Sequence, residues 1–201
     1  MNKIAVLGSG LLGGSIALAA QSRMQGVAVV LWGRREDSIR EAKELGITYA
    51  TTDLGDAVSE ADMIILATPV GAMLQILDSV SKIKSLKDII ITDVGSVKLT
   101  PRDTLEAVAQ AAGACYIGSH PMAGSEQAGI HAARANLFIG AACVMTNDFN
   151  HSEAKVTLLR HFWEALSSEC YQTSSEAHER VMAPISHLPP VLASVGSLVG
   201  N

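Results

Sequence analysis

Aromatic residues are scarce in this 201-residue chain, at 4%, and charged residues are thin at 17%. The charge leans acidic, with 20 Asp and Glu against 15 Lys and Arg for a formal net charge of -5. A surface that binds nucleic acid is normally basic and often offers rings for stacking, so this balance argues against such a partner. Only three cysteines are present, Cys115, Cys143 and Cys170. An odd count without a CxxC pair builds neither a disulfide framework nor a zinc site, and a cytoplasmic, reducing setting fits it best. Long uninterrupted apolar runs are also missing. The segment from Lys3 to Ala20 imitates a secretory signal, but Gly8, Gly10, Gly13 and Gly14 interrupt it at spacings that have a better use. No stretch reaches the ~18 residues that a membrane span needs without glycine punctuation. What is abundant is aliphatic residue: 48% of the chain is hydrophobic, which with so little charge excludes a disordered segment. A chain of this length makes one or two domains and needs no staple to fold.

Short apolar runs alternate with helical patterns through the first half. The runs Lys3–Gly8, Val27–Trp32, Met63–Thr68, Ile89–Asp93 and Cys115–Ser119 are nearly continuous in Val and Ile, as strands covered on both faces must be. Helical periodicity falls at Leu12–Gln21, Asp37–Leu45, Val70–Ser81 and Pro101–Ala112, with Thr100 placed as a cap before Pro101. This alternation predicts an α/β, doubly wound Rossmann domain over residues 1–147. From 148 to 201 the pattern predicts the beginning of an all-helical second domain. Ser152–Leu166 reads as an amphipathic helix, Thr173-Ser174-Ser175-Glu176 as a capping box opening another, and Pro184 as its interruption. Val191–Gly200 is apolar and uncharged, so it belongs in a core shared with another subunit or with further chain.

Gly8-Ser9-Gly10-Leu11-Leu12-Gly13 follows a predicted strand and opens a predicted helix. Gly8 permits the tight turn, Gly10 lets a pyrophosphate approach the backbone, and Gly13 lets helix and strand pack closely. The pyrophosphate then lies on the free N–H groups at the helix start. An NAD site wants an acid about twenty residues on, to accept from the ribose hydroxyls. Gly33 stands there instead, followed by Arg34 and Arg35. Two guanidinium groups suit a 2′-phosphate, so the expected cofactor is NADP ahead of NAD.

The richest polar cluster is Gly118-Ser119-His120-Pro121-Met122-Ala123-Gly124-Ser125-Glu126, directly after a predicted strand and so at the ligand-binding edge of an open α/β sheet. His120 can take a proton near neutral pH. Asp93-Val94-Gly95-Ser96-Val97-Lys98 puts Ser96 on the same edge. His187 precedes a double proline and reads equally as a packing residue or a ligand. His178, nine residues earlier, lies half a revolution out of phase with it on a regular helix. His131, His151 and His161 read as surface or packing residues, and no grouping has metal spacing.

Gly8–Gly13, Ala67-Thr68-Pro69-Val70, Asp93–Lys98, Ser119–Glu126 with Leu137-Phe138-Ile139-Gly140, and Ser186-His187-Leu188-Pro189 together resemble the prephenate dehydrogenase family, with its related arogenate and cyclohexadienyl dehydrogenases of tyrosine biosynthesis. The resemblance implies oxidative decarboxylation: hydride leaves the ring carbon that bears the hydroxyl, and carbon dioxide is lost as the ring aromatises. It implies that His120 accepts the hydroxyl proton and that Ser96 bridges nicotinamide and hydroxyl. It places Ser119, Ser125, Glu126 and His187 at the substrate, and Gly8, Gly10, Leu11, Leu12, Gly13, Arg34, Arg35, Thr68, Pro69 and Ser96 at the cofactor. It also implies a homodimer through the helical region, where the family supplies an Arg for a substrate carboxylate from sequence beyond Asn201. Gly33 departs from the family, which usually has Asp there. Two rival readings are a non-catalytic dinucleotide sensor and a 3-hydroxyacid or imine dehydrogenase on the same scaffold. The latter commonly uses a lysine in its helical domain, for which Lys155 lies too early.

Overall fold

A computed structural model describes residues 1–187, with side chains through Met182. Strands β1 (Lys3–Leu7), β2 (Ala28–Trp32), β3 (Ala50–Thr51), β4 (Met63–Leu66), β5 (Ile90–Asp93) and β6 (Cys115–Tyr116) form one parallel sheet in the order β3-β2-β1-β4-β5-β6. That is the Rossmann order, with its crevice at the switch point between β1 and β4. Helices α1 (Leu11–Arg23) and α2 (Glu36–Glu44) pack one face, while α3 (Leu54–Val58), α4 (Val70–Ile83) and α5 (Leu99–Ala111) pack the other. The β1 and β4 interiors are fully buried, as the apolar runs required. The two-residue β3 and the five-residue α3 are too short to leave a periodic signal.

The expected strand Cys115–Ser119 is two strands. β6 ends at Tyr116, the chain turns at Ile117, and β7 (Gly118–Pro121) enters a second sheet. There β7 pairs antiparallel with β8 (Ala142–Thr146), and β8 pairs parallel with β9 (Glu169–Thr173). Between them α6 (Glu153–Ala165) buries Val156, Leu159, Phe162 and Trp163 in the core that also holds α1. A strand, β9, therefore falls within 148–201, the stretch expected to be all-helical.

Two cap expectations are corrected. α5 begins at Leu99, so Thr100 lies inside it, and its first N–H groups are met by a carboxylate from elsewhere in the chain. In α7 (Ser175–His187) the capping oxygen is Ser174 Oγ, which accepts from Ala177 N at 3.1 Å, not Thr173. α7 also runs through Pro184. A proline within a helix removes one backbone bond, and here that loss does not end the element. Val191–Gly200 lies outside the described residues.

Candidate active site

At the carboxyl edge of β1, Gly8 has φ +135°, and a Cβ there would stand 2.3 Å from the Ala67 carbonyl oxygen. A Cβ on Gly13 would meet the Gly8 carbonyl at 1.8 Å, whereas one on Gly10 would enter open space. The loop thus presses backbone against backbone at two glycines and leaves the third bare towards the crevice. Gly10 caps α1 without a side-chain bond, and no acid stands in the first turn, so the start of the helix keeps free donors and a positive end. A cleft of about 230 Å³ is lined here by Gly8, Gly10, Arg34, Arg35, Thr68 and Pro69, among others. The Thr68 hydroxyl is buried and has no hydrogen-bond partner among the described residues. Bare amides, an orphaned hydroxyl and two exposed guanidinium groups suit a phosphorylated, hydroxyl-bearing ligand. Leu11 and Leu12 begin α1 beside the cleft, half-buried.

A Cβ on Gly33 would stand 2.2 Å from Ser9 Oγ and 2.7 Å from Ser9 Cβ. Ser9 Oγ is bonded to Ser38 Oγ at 2.9 Å, and Ser38 Oγ donates to the Arg35 carbonyl at 2.8 Å. Serine therefore occupies the space that an acidic side chain at position 33 would cross. A larger open groove, about 680 Å³, lies along α2 and β3 and contains none of the residues singled out by the sequence.

The loop Asp93–Lys98 is pinned at both ends. Asp93 and Lys98 are fully buried and form an ion pair. Asp93 Oδ1 accepts from Tyr116 at 2.7 Å, and Oδ2 accepts from Gly95 N at 2.8 Å. Lys98 Nζ also donates to the Ser119 carbonyl at 2.7 Å. Burial lowers the Lys98 pKa, which Asp93 opposes, and burial raises that of Tyr116. Ser96 sits exposed at the tip between these anchors.

His120 lies on β7, 9% exposed, with Nδ1 2.8 Å from Nε2 of His178 on α7. Burial, then His178 and Lys98, pushes its pKa down to about 4, so the ring is neutral at pH 7. Nε2 has no hydrogen-bond partner among the described residues. Ser125 and Glu126 are exposed in the loop after β7. Ser119 corrects its expectation: it is fully buried, its Oγ accepts from Trp163 Nε1 at 3.0 Å and shares a 2.8 Å bond with Thr92 Oγ1. Alternation along β7 explains this, since adjacent residues face opposite sides and His120 takes the outer one. His187 ends α7, and its side chain lies outside the described residues. Among the described residues no group of three or more His, Cys, Asp or Glu could hold a metal ion, and no helix is long and apolar enough to cross a membrane.

The family model for the prephenate dehydrogenase nucleotide-binding domain matches residues 16–172. The chain belongs to the prephenate dehydrogenase family. A cyclohexadienyl dehydrogenase from Zymomonas mobilis is 35% identical over 191 residues, covering 94% of this chain and 64% of that protein. A Synechocystis arogenate dehydrogenase structure matches at 31% identity and TM-score 0.82, covering 99% of this chain and 70% of the other. A prephenate dehydrogenase structure from A. aeolicus, in complex with hydroxyphenyl propionate and NAD+, matches at 29% identity and TM-score 0.85, with 99% and 70% covered. The chain spans about half the length of the curated prephenate dehydrogenases it matches.

Within this family member, sequence reasoning missed His178, Lys98 and Asp93 as a group. Spacing set His178 against His187 and never against His120, 58 residues away on another element. In the sequence Lys98 marks only the end of the Asp93–Lys98 segment, and the fold buries it beside Asp93.

Proposed function

We propose that this chain binds a nicotinamide dinucleotide, NADP in preference to NAD, and forms the catalytic edge of a prephenate or arogenate dehydrogenase. The observation that carries the reading is His120: a neutral imidazole on β7, the strand that Lys98 ties to the carboxyl end of β5, whose Nε2 has no hydrogen-bond partner among the described residues. The cofactor, when bound, supplies the hydride acceptor. Gly8, Gly10 and Gly13 with the first turn of α1 would hold its pyrophosphate, Thr68 and Pro69 would line its path, and Arg34 and Arg35 would hold the 2′-phosphate. Ser96, on its pinned loop, would hydrogen-bond the substrate hydroxyl. His120 Nε2 takes the hydroxyl proton as hydride leaves the same carbon. The electrons of the breaking bond to the carboxylate then flow into the ring, releasing carbon dioxide. Aromatisation drives this step, so a positioned neutral base suffices. Ser125, Glu126 and His187 would orient the rest of the substrate.

His120→Asn tests the role directly. Turnover of prephenate or arogenate should drop by about 10²–10⁴ while NADP affinity stays the same, because the ring touches the reacting hydroxyl and not the phosphates. Undiminished turnover removes His120 from the mechanism. Calorimetric titration with both dinucleotides tests the cofactor. A single charge-assisted bond of ~1.5–3 kcal/mol gives about tenfold preference for NADP or more. Arg34→Ala or Arg35→Ala should erode that preference and spare NAD. Equal affinity for both dinucleotides in the unaltered chain would reduce the arginines to solvated charges at the entry to α2.

A further inference from the structure

Beneath His120 lies a second buried imidazole. His178, 3% exposed on the first turn of α7, brings Nε2 to 2.8 Å from His120 Nδ1. Two neutral rings bond in this way only when one nitrogen carries a proton and the other a lone pair, so their tautomers are locked together. Two arrangements are possible. In the first, His120 donates from Nδ1 and keeps a lone pair on Nε2. In the second, His178 donates from Nε2, and His120 Nε2 already holds a proton and can accept no other.

The far side of His178 decides between them. Its Nδ1 is buried, makes no hydrogen bond among the described residues, and lies 3.9 Å from Glu179 Oε1. That oxygen is fixed at the start of α5, where it accepts from Lys98 N at 2.5 Å and Leu99 N at 3.3 Å. A lone pair facing a carboxylate is repelled and an N–H is attracted, so His178 keeps its proton on Nδ1 and accepts at Nε2. The other groups facing the pair do not reverse this. Lys98, from the start of α5, directs two of its N–H groups to Asp93 of β5 and the Ser119 carbonyl, and Asp93 is itself neutralised by that ion pair.

We propose that His178 is a positioning residue, which accepts the Nδ1 proton of His120 and so fixes the tautomer whose Nε2 is a base. The inference rests on His120 being the group that takes the hydroxyl proton, but the tautomer can be read without turnover. In long-range 1H–15N correlation spectra of the 201-residue chain labelled with 15N-histidine, at pH 7, His120 should show a protonated Nδ1 and a bare Nε2. His178 should show the same. A bare Nδ1 on His120 overturns the proposal whatever the activity. His178→Leu removes the acceptor, and His178→Gln keeps an amide oxygen near the place of Nε2. The leucine variant should release His120 into mixed tautomers and lower kcat about tenfold or more, with KM and NADP affinity little changed. The glutamine variant should restore both the tautomer and most of the rate. A folded leucine variant with unchanged tautomer overturns the proposal, and should it not fold, the unaltered chain and the glutamine variant decide. Full activity in His120→Asn would sink the base assignment alone, because the spectra still report what His178 does.

Discussion

A histidine that works as a base at neutral pH must be unprotonated in its resting state, which a lowered pKa secures. Burial does this for His120, holding its pKa near 4 against ~6.5 for an exposed ring. Between those values the unfolded chain binds a proton that the folded chain refuses, so stability falls as pH drops through that window. At pH 7 both states are neutral there, and the contribution vanishes. His178, also lowered by burial, adds in the same direction. Two outcomes should be measurable. The acid limb of kcat/KM should lie well below pH 6, since it reports the base of the free enzyme. Urea unfolding at pH 7, 5.5 and 4.5 should show the unaltered chain losing ground to His120→Asn as the pH is lowered. A limb near 6.5 would mean an exposed, unperturbed ring.

At the scale of the element, the Asp93–Lys98 loop shows how a buried pair can hold an exposed residue in place. Asp93 reaches forward to Gly95 N and across to Tyr116 and Lys98, and Lys98 reaches on to the strand carrying His120. Ser96 is thereby fixed relative to the imidazole without touching it. Removing one partner of such a pair strands a buried charge and typically costs about 3–5 kcal/mol. Lys98→Met should therefore lower the denaturation midpoint sharply, whereas Ser96→Ala, at the exposed tip, should leave stability within about 0.5 kcal/mol. Chemical denaturation of both variants checks this, and a stable Lys98→Met would show the pair to be dispensable. Little of the arrangement was legible beforehand. The five main parallel strands and five of the helices announce themselves through apolar runs and 3.6-residue periods. A lysine five positions after an aspartate, in a loop, has no period to betray it. β9 was hidden for a related reason: Glu169, Tyr171 and Gln172 are exposed, and such a strand lacks the continuous apolar run that marked the others.

At the scale of the whole molecule, the strand order brings the ends of β1, β4 and β5 to one edge, where the glycine loop and the Asp93–Lys98 loop lie, and Lys98 ties the strand of His120 to the end of β5. The sequence made that edge legible by its alternation. The partner of α6 was not legible, because its sequence reads like any amphipathic helix. Its buried face meets the Rossmann core: Val156, Leu159, Phe162, Trp163 and Leu166 are at most 1% exposed, and Trp163 donates to Ser119 beneath the active-site strand. Burial of each such side chain is worth ~1.5–3 kcal/mol, so the five together contribute roughly 8–15 kcal/mol. That is comparable with the entire stability of a typical domain, ~5–15 kcal/mol. A chain cut after residue 147 should therefore fail to melt cooperatively, having lost these anchors and left β8 without β9. A chain cut after residue 174 keeps both sheets and, of the described elements, loses only α7, so it should retain a cooperative melt and dinucleotide binding while losing the His178 contact to His120. Circular dichroism melts of the two chains decide the matter, and a cooperative transition in the shorter one would return α6 and β9 to a separate domain.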